Sequence, residues 1–163
     1  MPRERNSFGF LTIEPRRPES VLVIVYSGDG DVLLLKRSAP FEFWQSVTGS
    51  LETNESPFEA ARRELFEETG LGEHGRLVDS GRSRVFEIDP RWRDRYADGV
   101  TENTEYEWHF NAPKSEEIQL DSAEHTASRW VSLEYAADEV WSWTNKEALN
   151  AFLSELCTNS QPV

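Results

Sequence analysis

Basic residues are scarce: 17 Lys and Arg against 30 Asp and Glu leave the 163-residue chain with a formal charge of −13. Such a surface has little with which to displace counterions, which excludes broad, nonspecific binding to nucleic acid. It also repels any polyphosphate ligand unless a cation and a few local basic groups intervene. Cysteine occurs once, at Cys157, so no intrachain disulfide can form and a reducing compartment fits. The three histidines are scattered and no Cys-x-x-Cys is present, which leaves a zinc site without its usual spacing. No apolar run approaches the ~20 residues a membrane helix needs, and the opening MPRERNSFGF has no signal-peptide core. The expectation is a soluble, cytoplasmic protein with neither a nucleic-acid nor a membrane partner.

What the chain does contain is enough apolar and aromatic residue, 37% and 12%, to build a core for one compact domain. The β-branched run VLVIVY (Val21–Tyr26) reads as a strand buried on both faces, and Asp29-Gly30 turns it toward VLLLK (Val32–Lys36) as a hairpin partner. Leu77–Asp79 and Arg84–Ile88 are short strand candidates, Pro90–Asn103 a long loop, and Glu105–Asn111 an alternating strand. A polar connection from Pro113 to about Glu124 leads to a last strand around Ser128–Val131 and a short helix over Leu133–Val140. Thr144 with Glu147 has capping-box spacing ahead of an apolar stripe of Ala148, Leu149, Phe152, Leu153 and Leu156. Phe8, Phe10, Leu11 and Ile13 are compatible with a short extra strand or a docking tail. The expected division is an N-terminal extension over 1–14, one domain over 15–157 and a tail over 158–163. Strands interleaved with helices imply an α/β sandwich with helices on both faces of a sheet.

The densest signal lies between Gly49 and Leu71, GSLETNESPFEAARRELFEETGL. Ser56 and Glu59 form a capping box, Pro57 stands at the first helical position, and Gly70 is placed to end the helix in a left-handed turn. At ~3.6 residues per turn, Glu64, Glu67 and Glu68 share one arc, while Phe58, Ala61 and Leu65 share an adjoining arc that can face a core. Glu59 to Arg63 and Arg63 to Glu67 are spaced for ion pairs. Three carboxylates on one flank repel each other, and a hard divalent cation is their natural occupant.

Gly49, Glu55, Arg63, Glu64, Leu65, Glu67, Glu68, Gly70 and Leu71 match every specified position of a long pattern, and the stretch resembles the Nudix box. The resemblance implies a Nudix-type α/β/α sandwich with a mixed β-sheet between helices, and hydrolysis of a diphosphate bond. It implies Mg²⁺, with Mn²⁺ as a substitute, held by Glu64, Glu67, Glu68 and the carbonyl of Gly49. Arg63 and Glu55 then serve to orient these acids. Relatives carry a further glutamate on a loop outside the box, and Glu124 is the candidate, with Glu64 or Glu124 as general base. His125 next to it is expected at most to support these groups from behind, a lone histidine being more often incidental.

Beyond the box, FWQSVTGSLE (Phe43–Glu52), RYADGVTENTE (Arg95–Glu105), EHTASRW (Glu124–Trp130) and SWTNKEA (Ser142–Ala148) are similar to the bacterial Nudix enzymes that cleave 7,8-dihydroneopterin triphosphate, a step toward folate. The similarity runs from about Arg16 to Phe152 and departs in the N-terminal extension and at Ser38–Glu42. It implies a small-molecule triphosphate substrate, with some nucleoside triphosphates accepted. Arg37 is the leading phosphate ligand, with Arg16, Thr48 and Ser142 at matched positions. Trp44, Phe86, Tyr96 and Trp143 are stacking candidates for a planar ring, and Glu87 a hydrogen-bond acceptor for it. The competing expectations are a (d)NTP or dinucleoside polyphosphate hydrolase of the same family and a ligand-sensing domain without turnover.

Overall fold

The computed structural model describes residues 3–5 and 11–159, with side chains from residue 14 onward. Strands β1 (Arg3–Arg5) and β2 (Leu11–Ile13) form a separate antiparallel pair. The extra strand considered for the N-terminus is present at Leu11–Ile13, while Phe8 and Phe10 lie outside the described residues. The rest of the chain is built on one sheet of seven strands: β3 (Glu19–Tyr26), β4 (Asp31–Arg37), β5 (Phe43–Gln45), β6 (Val47–Ser50), β7 (Leu77–Glu87), β8 (Glu102–Asn111) and β9 (His125–Ser132). Helix α1 (Pro57–Thr69) covers one face, and α2 (Leu133–Glu139) with α3 (Trp143–Asn159) covers the other. The sandwich with a mixed sheet expected from the sequence is therefore the observed fold.

Strand β3 shows why the chain layers this way. Val21, Val23 and Val25 point into a core shared with Ala60, Ala61 and Leu65 of α1. Leu22 and Ile24 point into a second core with Leu133 and Ala136 of α2 and Ala148, Leu149 and Phe152 of α3. A period-two strand with apolar residues at every position has to be covered twice. Along its full length β3 runs parallel to β8.

Several local expectations are corrected. The strands β3 and β4 do not form a full hairpin: they pair only at Tyr26–Val32, after which β6 takes Ser20–Val23 and β9 takes β4. The split is set by the short segments β5 and β6, which carry too few residues to register as strands in the sequence. Leu77–Asp79 and Arg84–Glu87 belong to one eleven-residue strand that stops short of Ile88, interrupted between Asp79 and Ser83 by a bulge where Gly81 has a positive φ. The long loop holds a 3₁₀ turn at Arg93–Arg95 and gives way to β8 at Glu102. Helix α3 is capped by Ser142, whose hydroxyl accepts from the Asn145 N–H at 3.1 Å, rather than by the Thr144–Glu147 pair. Thr144 is buried inside the first turn and cannot serve as the flanking residue.

Helix α1 begins as its sequence dictates. The Ser56 hydroxyl accepts from Glu59 N at 3.2 Å, and the Glu59 carboxylate accepts from Ser56 N at 2.8 Å. Glu59 is thereby committed to the cap, so the hydrogen-bonded partner of Arg63 one turn on is Glu67. Gly70 closes the helix at φ 75°. Ala61 and Leu65 are buried as expected, whereas Phe58 is half exposed and packs its ring against Trp108, 5.7 Å between centroids.

Candidate active site

Arg63 is the hub around which the acidic helix is arranged. Its guanidinium makes a forked pair with Glu55, 2.8 Å on each arm. It also donates to Glu64 at 2.8 Å, to Glu67 at 3.2 Å and to the carbonyl of Ser50 at 3.0 Å. A planar fork with five N–H donors can hold this many acceptors at once, as a lysine ammonium could not. Glu55 accepts in addition from Glu52 N at 3.0 Å, and Arg17 reaches the carbonyls of Glu52 and Glu55 at 3.1 and 2.9 Å. The loop from β6 into α1 is thus tied to the helix through charged hydrogen bonds, and Glu64 leaves that network pointing over β6.

The three box glutamates differ in environment. Glu67 is half exposed, Glu64 is nearly covered and Glu68 is fully buried. Burial raises the Glu64 carboxyl to about 7, opposed by Arg63 and reinforced by Glu67 and Glu124. Burial also raises Glu68 well above the ordinary carboxylate range, with the neighbouring Glu64 and Glu124 pushing in the same direction. The Thr48 N–H, 3.4 Å from Glu68, and the charge of Arg37 oppose that only in part. Glu124 is delivered to the cluster by a turn in which Asp121 accepts from Ala123 N at its carboxylate and from Glu124 N and His125 N at its carbonyl. Ligand atoms of Glu68, Glu124 and His125 lie within 4.8 Å of one another.

Crowded, partly buried carboxylates with one arginine shared by Glu64 and Glu67 carry an excess of negative charge in a poor solvent for it. Their donors are predominantly oxygen, which is what a hard divalent cation takes. The residues present therefore fit such an ion. Gly49 belongs to the same construction, since a Cβ there would fall 2.1 Å from Cδ and Oε1 of Glu64. His125 is buried, with burial lowering its pKa. Its Nε2 faces the Gln45 amide nitrogen at 3.2 Å and its Nδ1 has no partner among the described residues.

Glu64, Glu67 and Glu124 line a cavity of about 930 Å³, within the range of small-molecule sites, while Glu68 lies buried outside its lining. Arg16, Arg37, Thr48, Phe86, Glu87 and Ser142 all line it, as do Tyr96 and Trp143. Trp44 does not: strand alternation turns Phe43 and Gln45 toward the cavity and Trp44 toward the second core, with Arg129 stacked 4.3 Å from its ring. Thr48 spends its hydroxyl on the Val21 carbonyl at 2.8 Å, so its N–H is the group turned toward the acids. Glu87 is exposed and paired with Arg93 at 2.7 Å. Ser142 caps α3 at the cavity edge.

No motif marks Arg95, yet it lines the same cavity, and burial and repulsion from Arg16 and Arg37 lower its pKa. Arg37, at the end of β4, keeps a buried Nε with no partner among the described residues. Three guanidiniums thus converge in a chain of net charge −13, an arrangement that favours an anionic ligand. Arg16 and Arg95 are brought together by backbone, the Arg16 N–H donating to the Arg95 carbonyl at 2.7 Å across the long loop. That loop is clamped by Trp92 against Trp141 and Phe43, at 5.6 and 6.3 Å between ring centroids. Sequence spacing carries no sign of this, because the ring partners lie 49 residues apart and Arg16 lies 79 residues from Arg95.

An α/β/α sandwich with this loop–helix acid cluster defines a class, and residues 16–152 match the NUDIX domain family model. The chain belongs to the Nudix family of hydrolases. It is 42% identical over 142 residues to a dihydroneopterin triphosphate diphosphatase of Escherichia coli K12, covering 85% of this chain and 93% of that protein. It is 38% identical over 151 residues to the protein of the same name in Haemophilus influenzae, covering 90% and 94%. The solved structure of the E. coli dihydroneopterin triphosphate pyrophosphohydrolase superposes with a TM-score of 0.79 at 39% identity, over 86% of this chain and 98% of that one. An Ap4A hydrolase of C. elegans at 22% identity shares the fold, with a TM-score of 0.68.

Proposed function

We propose that the protein hydrolyses 7,8-dihydroneopterin triphosphate to dihydroneopterin monophosphate and pyrophosphate, with Mg²⁺ as cofactor and Mn²⁺ as a substitute. The observation that carries the reading is a single cavity joining an acid cluster, three converging arginines and an aromatic compartment with polar groups. Those are the three needs of a ring-bearing triphosphate: a cation cradle, a phosphate clamp and a ring site. The two dihydroneopterin triphosphate diphosphatases, alike to this chain over nearly their whole length, support the choice of substrate.

Glu64, Glu67, Glu68 and Glu124, with the Gly49 carbonyl, would hold the ion, which when bound polarises a phosphoryl oxygen and acidifies water. Arg63 keeps Glu64 in place through their 2.8 Å bond and leaves the substrate to other groups. Arg37, Arg95 and Arg16 neutralise the phosphate chain, which an otherwise anionic protein would repel. Glu64 or Glu124 takes the proton from the attacking water as a P–O–P bridge breaks. Phe86, Tyr96 and Trp143 flank the ring. Among the described residues no helix is long and apolar enough to cross a membrane.

Purified protein with Mg²⁺ is tested against dihydroneopterin triphosphate, the common dNTPs and dinucleoside polyphosphates, reading product release. The expected outcome is a kcat/KM for dihydroneopterin triphosphate above that for every nucleotide. A nucleotide cleaved far better would shift the assignment within the family. Background rates on the whole panel would leave a binding domain.

A further inference from the structure

The cavity wall built by β8 carries a buried carbonyl oxygen with no partner among the described residues and, beside it, a buried carboxylate whose hydrogen-bond donor is Thr144. Asn103 and Glu105 stand two residues apart on β8 and so face the same side of the sheet, 1% and 7% exposed. The Asn103 amide nitrogen donates to Ser20 Oγ at 2.8 Å, which leaves Oδ1 buried without a partner among the described residues. Glu105 accepts a hydrogen bond from Thr144. Arg84, opposite it in register, is committed to Glu107 at 2.8 Å and Glu147 at 3.6 Å. Ser20, Asn103, Glu105 and Thr144 all line the cavity, with Phe86 and Trp143 beside them.

An unpaired buried carbonyl is unfavourable, and a carboxylate with spare lone pairs more so. Thr144 and the charge of Arg84 offset this only in part, and a ligand presenting N–H donors would complete it. We infer that Glu105, with Asn103 beside it, reads the pairing edge of the substrate's heterocycle and selects 2-amino-4-oxo rings. This rests on the substrate reading above. Such a ring, pterin or guanine, offers a ring N–H and an amino group side by side, two donors for two carboxylate oxygens. Adenine offers one amino donor next to a bare acceptor nitrogen, which a carboxylate repels. Burial pushes the Glu105 carboxyl up to about 7, as befits a carboxylate awaiting donors.

The test is Glu105→Gln, which replaces one acceptor oxygen by a donor and so matches adenine. kcat/KM is measured for dihydroneopterin triphosphate, dGTP and dATP in wild type and variant. The expected result is a fall of about a hundredfold for the first two, mainly through KM, with dATP rising about tenfold. A thermal melt matching that of the wild type is the control for folding. Asn103→Leu, close in size, lowers the same two substrates about tenfold relative to dATP. Equal losses on all three substrates, or ratios unchanged within about twofold, overturn the inference. If wild-type protein does not cleave dihydroneopterin triphosphate, the substrate reading fails by itself. The dGTP-to-dATP ratio then still decides the role of Glu105.

Discussion

The carboxylate of Glu64 occupies the space that a side chain at Gly49 would need, with Cδ and Oε1 each 2.1 Å from where the Cβ would stand. Backbone freedom is not the reason for glycine here, since residue 49 pairs regularly with Val21 in the sheet. The reason is contact: helix α1 lays an acid directly on β6. Gly49→Ala displaces Glu64 from its bond with Arg63. Turnover is expected to fall about a hundredfold, the usual effect of an ångström of misplacement. Stability should fall by about 1–3 kcal/mol, as for overpacking. Steady-state kinetics and urea unfolding of the alanine variant check both, and wild-type turnover would separate Glu64 from the reaction.

Glu68 is the most deeply buried of the box acids and touches the backbone of β6. Glu68→Gln keeps its shape and removes its charge. Turnover should drop at least about a hundredfold, and Mn²⁺ affinity should weaken with it. Calorimetric titration with Mn²⁺ reads the second effect independently of catalysis. Unchanged affinity would take Glu68 out of the ion's cradle.

Arg95 is disfavoured first by burial and then by the like charges of Arg16 and Arg37. Its replacement by Ala is therefore expected to leave the melting temperature the same or higher while raising KM for triphosphates about tenfold, the worth of one phosphate contact. The combination distinguishes a ligand contact from a structural arginine, which would lose stability when removed.

Glu107 sits beneath α3, where it accepts from Arg82 at 2.6 Å, Arg84 at 2.8 Å and His109 at 2.7 Å. Burial alone would raise its pKa, but these three donors together outweigh it and bring the carboxyl down to about 2. A folded value below the unfolded one means that its stabilisation is complete above about pH 4.5 and is lost as pH falls toward 2. Glu107→Gln should cost about 3 kcal/mol at pH 7 and little near pH 2. Chemical unfolding across that range measures the convergence, and a constant difference would exclude the titration of Glu107 as its source.

Local chemistry was legible in the residues themselves. The capping box, the glycine at the end of α1 and the apolar stripe of α3 depend on neighbours within a turn or two, so spacing alone specifies them. The two-sided burial of Val21–Tyr26 was equally plain, because a strand with no polar face has only one way to be covered. Acids carried on one helix arrive together whatever the rest of the chain does.

The tertiary structure decided the rest. The partition of β3 among β4, β6 and β8 depends on which strands reach it, not on its own residues. The face on which Trp44 lies depends on the register of β5, where a shift of one residue would have put its ring in the cavity. Arg16, Arg37 and Arg95 converge from three separate segments, and Asn103 and Glu105 meet Ser20 and Thr144 across adjoining elements. A sequence states directly what a segment does to itself. Which distant groups share a dry cavity is settled only by packing, through contacts between parts of the chain that do not know of each other until they fold.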